Sequence, residues 1–160
     1  MSRHAGRCSA EGAGTAGTVA RVPEPKPAAR SETSMSIPLP GRSFRVTFLP
    51  AGRTVEVNPQ DLPYGHCGLP GSLLDIALGH GIDIEHACGG VCACSTCHVL
   101  VRQGIESCCA PTEKEQDQLD LVPGLRPTSR LACQCVPDGT SDIVAELPAW
   151  NRNAAREREK

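Results

Sequence analysis

Aromatic side chains are nearly absent: one Trp, one Tyr and two Phe serve 160 residues. Phe44, Phe48, Tyr64 and Trp150 are too few to dominate a core of this size, so aliphatic side chains, and any group that binds the folded chain, must do more of the stabilising. Long apolar runs are missing as well. No stretch is long enough to span a membrane, and no apolar h-region of a secretory signal precedes the patterned sequence. Formal charge is close to balance, at −2. No nucleophile and base recur in a constellation that would mark a hydrolase or a transferase. A chain of this length accommodates one domain with tails, a small carrier more readily than a large enzyme.

Cysteine is what the chain has in quantity, with ten residues. A secreted disulfide framework would use such a number, but without a signal peptide the expectation is a reducing compartment and free thiols. In the run His86-Ala87-Cys88-Gly89-Gly90-Val91-Cys92-Ala93-Cys94-Ser95-Thr96-Cys97-His98, Cys88, Cys94 and Cys97 stand at C-x5-C-x2-C spacing. A further cysteine follows in Arg130-Leu131-Ala132-Cys133-Gln134. A loop of this kind can wrap thiolates around one face of a small inorganic core while a distant cysteine closes the site, so an iron–sulfur cluster, and with it electron transfer, is the leading expectation. The competing class is a zinc-stabilised or thiol-redox cysteine module, built on Cys94 and Cys97 or on Cys108-Cys109. The x5 spacing is less natural for a zinc knuckle. Cys92 lies out of register and is expected to be a small buried filler.

Beyond spacing, the segments "HAC", "CACSTCHV", "TEKEQDQLD", "SRLACQC" and "ELPAWNRN", running in that order, make Leu73 to Trp150 resemble the adrenodoxin-like, assembly-type [2Fe-2S] ferredoxins. Plant-type ferredoxins use C-x4-C-x2-C. The resemblance implies an α+β fold, a β-grasp with a mixed sheet, short helices and a cluster-binding loop. It implies that Cys88, Cys94, Cys97 and Cys133 hold the [2Fe-2S] cluster, with "RLACQ" favouring Cys133 over Cys135. The protein would be a one-electron carrier and not an enzyme. Its donor would be a flavoprotein ferredoxin reductase, and its acceptor either iron–sulfur assembly proteins or a cytochrome P450 monooxygenase. A monomer is expected, with neither nucleic acid nor membrane as partner, in the bacterial cytoplasm or alternatively the mitochondrial matrix.

Around those thiols, Gly89, Gly90, Ala93 and Ser95 are small enough for the backbone to approach and donate N–H groups to an anionic core. The hydroxyls of Ser95 and Thr96 are placed to bond sulfur. His98 follows the third ligand; in the family such a residue ties the cluster loop to the segment bearing an acidic helix.

Local patterning outlines the remainder. Residues 1–36, rich in Gly, Ala, Pro, Ser and Arg and lacking apolar periodicity, read as a disordered tail. Glu11, Glu24 and Glu32 argue against a transit peptide, and Met35 is a candidate start. The ferredoxin domain is expected over 37–150 and a charged tail over 151–160. Ser43–Leu49 and Arg53–Val57 alternate as two strands of a hairpin. A short helix over 71–79 has Ser72 as N-cap, with Asp75 completing a capping box. Further strands are expected at Cys97–Arg102, Leu131–Cys135 and Asp142–Glu146. Residues 58–70, including His66 and Cys67, are assigned to a surface excursion without function.

Thr112 to Leu121 opens a helix by a capping box, Thr112 to Glu115. Its acids dominate: Glu106, Glu113, Glu115, Asp117 and Asp120 face only Lys114, a net −4 over 106–120. Residues 35–150 carry −6, which basic tails partly offset. Glu113, Glu115, Asp117 and Asp120 are the expected docking carboxylates for a basic partner. Charge steering suits a carrier that needs fast association and fast release.

Overall fold

The buried–exposed alternation of Phe44, Val46 and Phe48 against their neighbours fixes the first strand, and it anchors the sheet. The protein is described by a computed structural model over residues 37–149; the expectations for 1–36 and 151–160, and Trp150, lie outside the described residues. Strand β1 (Phe44–Leu49) turns through residues 50–52 into β2 (Arg53–Val57), and the two pair antiparallel with Val46 opposite Val55. Helix α1 (Leu73–Gly79) follows, then β3 (His98–Gln103), helix α2 (Glu113–Leu119), β4 (Ser129–Leu131) and β5 (Ile143–Glu146).

The five strands are ordered β2-β1-β5-β3-β4. Strand β5 pairs parallel with β1 and antiparallel with β3, so the sheet is mixed, and the last strand in sequence sits at its centre. Short helices lie with this mixed sheet, the expected α+β arrangement. Phe48, Leu73, Leu74, Ile76, Leu131 and Ile143 are sealed from solvent between sheet and α1. Each large apolar side chain buried in this way contributes roughly 1.5–3 kcal/mol, and two phenylalanines suffice because leucine, isoleucine and valine fill the rest.

Three expectations are corrected. Strand β4 is Ser129–Leu131, shorter and earlier than Leu131–Cys135, because residues 132–135 coil back: the N–H groups of Gln134 and Cys135 both donate to the Leu131 carbonyl, at 2.9 and 3.0 Å. Ser72 and Thr112 do cap α1 and α2, accepting from the N–H of Asp75 and Glu115. Neither acid completes its capping box, however. Asp75 instead is buried and accepts from the backbone N–H groups of Tyr64, His66 and Gly71 at 3.0, 3.1 and 3.1 Å. It gathers the 58–70 segment against α1, so that segment is no free surface excursion.

Glu115 is the third. Its side chain is 1% exposed and ion-paired with Arg130, itself 4% exposed, at 2.8 Å. Arg130 Nε and Nη2 donate to Oε1 and Oε2 of the carboxylate, and the Leu131 N–H donates to Oε1 at 2.9 Å. The pair pins α2 to β4. Glu115 therefore cannot belong to an outward docking face, whereas Glu113, Asp117 and Asp120 are exposed.

Candidate metal centre

Residues 80–98 carry little regular structure and are held by their ends. Ile82 and Ile84 are buried between exposed Asp83 and Glu85, fixing the entry, while His98 begins β3 and fixes the exit. At the exit, strand register sets the site. His98 lies opposite Leu131, and the Ala132 N–H donates to the Cys97 carbonyl at 2.9 Å, so the turn after β4 arrives beside Cys97. Helix α1 holds that turn from the other side. The first helical N–H groups have no partner within a helix; here Leu73 donates to the Cys135 carbonyl at 2.9 Å and Leu74 to that of Ala132 at 3.0 Å.

The thiols consequently meet two by two. Cys97 and Cys133 are both buried with their thiols facing each other, and Cys88 contacts Cys94, with both half-buried. Donation from Cys97 holds the Cys133 thiol down, to about 6, against burial; Gln134 Nε2 and the Cys92 N–H assist. Cys97 is pushed up correspondingly, by that bond first and by burial second. Burial alone would also raise Cys88, but N–H groups of Ala93, Gly90 and Val91, with the Cys94 side chain, outweigh it and hold the thiol below its ordinary value. Those donors are what an anionic thiolate–sulfide core requires. Among the described residues no three His, Cys, Asp or Glu side chains converge as a single ion demands. Two thiol pairs, three thiols from this loop and one from the turn after β4, instead suit a core of two irons, each taking two thiolates.

Neighbouring residues fall as follows. Thr96 Oγ1 accepts from the Ala87 N–H at 2.9 Å, which leaves its proton for Cys94 Sγ at 3.2 Å. Ser95 is buried and its carbonyl accepts from the His98 N–H at 3.3 Å. Gly90 points an N–H at sulfur, but Gly89 turns its own to the His86 carbonyl at 2.8 Å. Cys92 is buried, at φ 57°, with its thiol raised chiefly by burial. His98 Nε2 lies 2.9 Å from Ser129 Oγ, which accepts from the Arg126 N–H at 2.9 Å. That joins the residue after Cys97 to the chain that follows α2. Burial lowers the His98 pKa, favouring the neutral ring.

Sequence reasoning missed the wall of this site. Gly68, at φ +87°, fits between the two halves of the ligand set: a Cβ there would stand 2.7 Å from the Cys133 carbonyl oxygen, and a Cβ on Gly90 only 2.3 Å from the Gly68 nitrogen. The next residue, Leu69, donates to the Cys133 carbonyl at 2.8 Å. Gly65, Gly68 and Gly71, evenly spaced and all at positive φ, were the available signal.

Residues 65–138 match the family described as the 2Fe-2S iron-sulfur cluster binding domain. The chain is 43% identical over 110 residues to the 2Fe-2S ferredoxin of Haemophilus influenzae, covering 69% of this chain and 88% of that one. It is 40% identical over 121 residues to the mitochondrial adrenodoxin homolog of Saccharomyces cerevisiae, covering 72% and 64% respectively. Among solved structures, the ISC-like [2Fe-2S] ferredoxin FdxB of Pseudomonas putida superimposes with a TM-score of 0.53 at 38% identity, over 67% of this chain and 94% of that one.

Proposed function

This chain belongs to the [2Fe-2S] ferredoxin family, electron carriers rather than enzymes, and on that premise we propose that Cys88, Cys94, Cys97 and Cys133 are its cluster ligands. Held there, the cluster would supply one-electron redox chemistry. The observation that carries the assignment is the meeting of thiols in two pairs, Cys88 with Cys94 and Cys97 with Cys133, each of which would hold one iron. Cys135, the rival for the fourth position, turns its thiol to Cys108 instead.

The pairs differ in exposure. Cys97 and Cys133 are buried, whereas Cys88 and Cys94 are half-exposed beside Val91, which is 63% exposed. An electron would enter and leave through the outer pair. The donor would be a flavoprotein reductase docking on Glu113 and Asp117 of α2 and on Asp120 at its C-cap, all exposed. Lys114, the one cation of that helix, reaches back to the Val91 carbonyl at 3.4 Å and so links the acidic helix to the rim of the ligand loop. Likeness to the ISC-like ferredoxin supports iron–sulfur assembly proteins as acceptors, with a cytochrome P450 the alternative. A monomer in the bacterial cytoplasm is the accompanying proposal.

Single Ser substitutions test the ligand set in protein prepared without oxygen. Wild type should carry two irons and two labile sulfides and show an S = 1/2 signal only after one-electron reduction. Cys88→Ser, Cys94→Ser, Cys97→Ser and Cys133→Ser should each lose the cluster, and Cys92→Ser and Cys135→Ser should keep its spectrum. Stoichiometric zinc without sulfide would restore the cysteine-module alternative.

A further inference from the structure

Behind the turn that carries Cys133 lies a second group of thiols that the electron carrier does not use. Residues 107–109 run antiparallel to 136–138: Cys109 donates to the Val136 carbonyl at 2.9 Å, Asp138 to that of Ser107 at 2.7 Å, and Cys108 stands opposite Pro137. This brings Cys108, Cys109 and Cys135 together. They do not form a metal site, since among the described residues no three such side chains converge on one ion.

Backbone geometry sorts the three. Cys108 is extended, with φ −95° and ψ 148°, and successive side chains of an extended chain point to opposite sides, so Cys108 and Cys109 diverge. Cys109 is already engaged: its thiol donates to the Gln134 carbonyl at 3.2 Å and accepts from the Val136 N–H at 3.4 Å and from Arg130 Nη2 at 3.7 Å. Cys108 faces Pro137, so Cys135, two residues earlier, lies on the same side and its thiol meets that of Cys108, which makes one further, long contact of 3.6 Å to the Gly104 carbonyl. Cys108 is half-buried and reachable by a small reagent; Cys135 is wholly buried beneath it.

We propose that Cys108 and Cys135 are a redox-active pair that forms a reversible disulfide by exchange with low-molecular-weight disulfides. Cys108 attacks one sulfur of the small disulfide; a new S–S bond forms as the old one breaks, and one small thiolate leaves and takes up a proton. Cys135 then attacks Cys108, forming the internal bond and expelling the second small thiolate, which takes up the proton that Cys135 gives up. The protein pair is oxidised by two electrons and the small disulfide is reduced to two thiols. Exposure sets this order of attack, since Cys108 is the thiol a reagent meets and Cys135 lies covered beneath it. The product ties the segment ahead of α2 to the turn bearing a cluster ligand.

The test treats cluster-loaded protein, without oxygen, with rising oxidised glutathione, followed by acid quench, alkylation of free thiols and peptide mapping. The expected result is a linked Cys108–Cys135 peptide that dithiothreitol reverses, formed while cluster absorbance persists. Cys109→Ser should form it as wild type does, and neither Cys108→Ser nor Cys135→Ser should. Full alkylation of Cys108 and Cys135 wherever the cluster survives, a Cys108–Cys109 link, or a lasting glutathione adduct on Cys108 would each overturn the proposal. So would cluster bleaching before any thiol reacts.

Discussion

Replacing Glu115 by Gln keeps the shape of the side chain and removes its charge, and the consequence can be estimated from its surroundings. Glu115 and Arg130 are 1% and 4% exposed, so the guanidinium left behind has no water to replace its partner. Breaking a buried pair from one side costs about 3–5 kcal/mol. The pair is also the tie between α2 and β4, and the Leu131 N–H that donates to Glu115 leads directly into the turn of Cys133. Unfolding of a cluster protein is not a clean equilibrium, so the rate is the better observable. If half the loss falls on the unfolding barrier, cluster bleaching in a fixed guanidinium concentration should quicken about 10- to 70-fold.

The assay is anaerobic bleaching followed by visible absorbance, with Asp117→Asn, on the same helix but exposed, as control. A double substitution, Glu115→Leu with Arg130→Met, removes both charges and should recover part of the loss, because matched apolar replacement of a buried pair is often near neutral. Recovery will be incomplete, since Arg130 Nη1 also donates to the Cys109 carbonyl at 2.6 Å. A bleaching rate for Glu115→Gln within twofold of wild type would refute the view that this pair holds the fourth-ligand turn.

Other outcomes follow from the same contacts. Asp75→Ala strips the N–H groups of Tyr64, His66 and Gly71 of a charged acceptor, each bond worth about 1.5–3 kcal/mol, so limited proteolysis should shift to cleavage within 59–70 while α2 stays intact. Gly68→Ala places a methyl 2.7 Å from the Cys133 carbonyl oxygen at a left-handed φ, and cluster half-life under a chelator should fall at least severalfold. Reversing Asp117 and Asp120 to Lys should raise the KM for the cognate reductase strongly at low salt. Because exposed charges are screened beyond about 10 Å at 0.1 M ionic strength, that difference should shrink in high salt while the cluster spectrum is unchanged; stopped-flow rates equal to wild type at both salts would make the acids a solvated face.

The parts of the fold that depend on neighbours in sequence were legible. Alternation gave β1 to within a residue and β2 at its observed ends, and hydroxyl caps located both helix starts. What the sequence concealed depends on distant partners. Asp75 and Glu115 sit where a capping box would place an acid, and nothing local reveals that the one collects a loop or that the other meets Arg130. The early end of β4 likewise follows from α1, whose N–H groups draw carbonyls of residues 132 and 135 out of the strand path. For the site, spacing and the family resemblance pointed to four thiols, but that they meet in pairs depends on the β3–β4 register. The wall formed by Gly68 escaped notice because a close backbone approach leaves no mark beyond a glycine.

Strand β5, made last, occupies the middle of the sheet between β1 and β3. During synthesis the chain emerges in order, and the hairpin, the ligand loop and Cys133 all leave the ribosome before the strand that joins them exists. Until residue 146 is free, β1 and β3 have no common neighbour, and α1, which holds the Cys133 turn, follows the β1–β2 hairpin while the thiols sit on the separate β3–β4 pair. The nascent protein thereby passes through an interval in which its thiols are present before the sheet behind them is closed, open to any metal or oxidant that reaches them first.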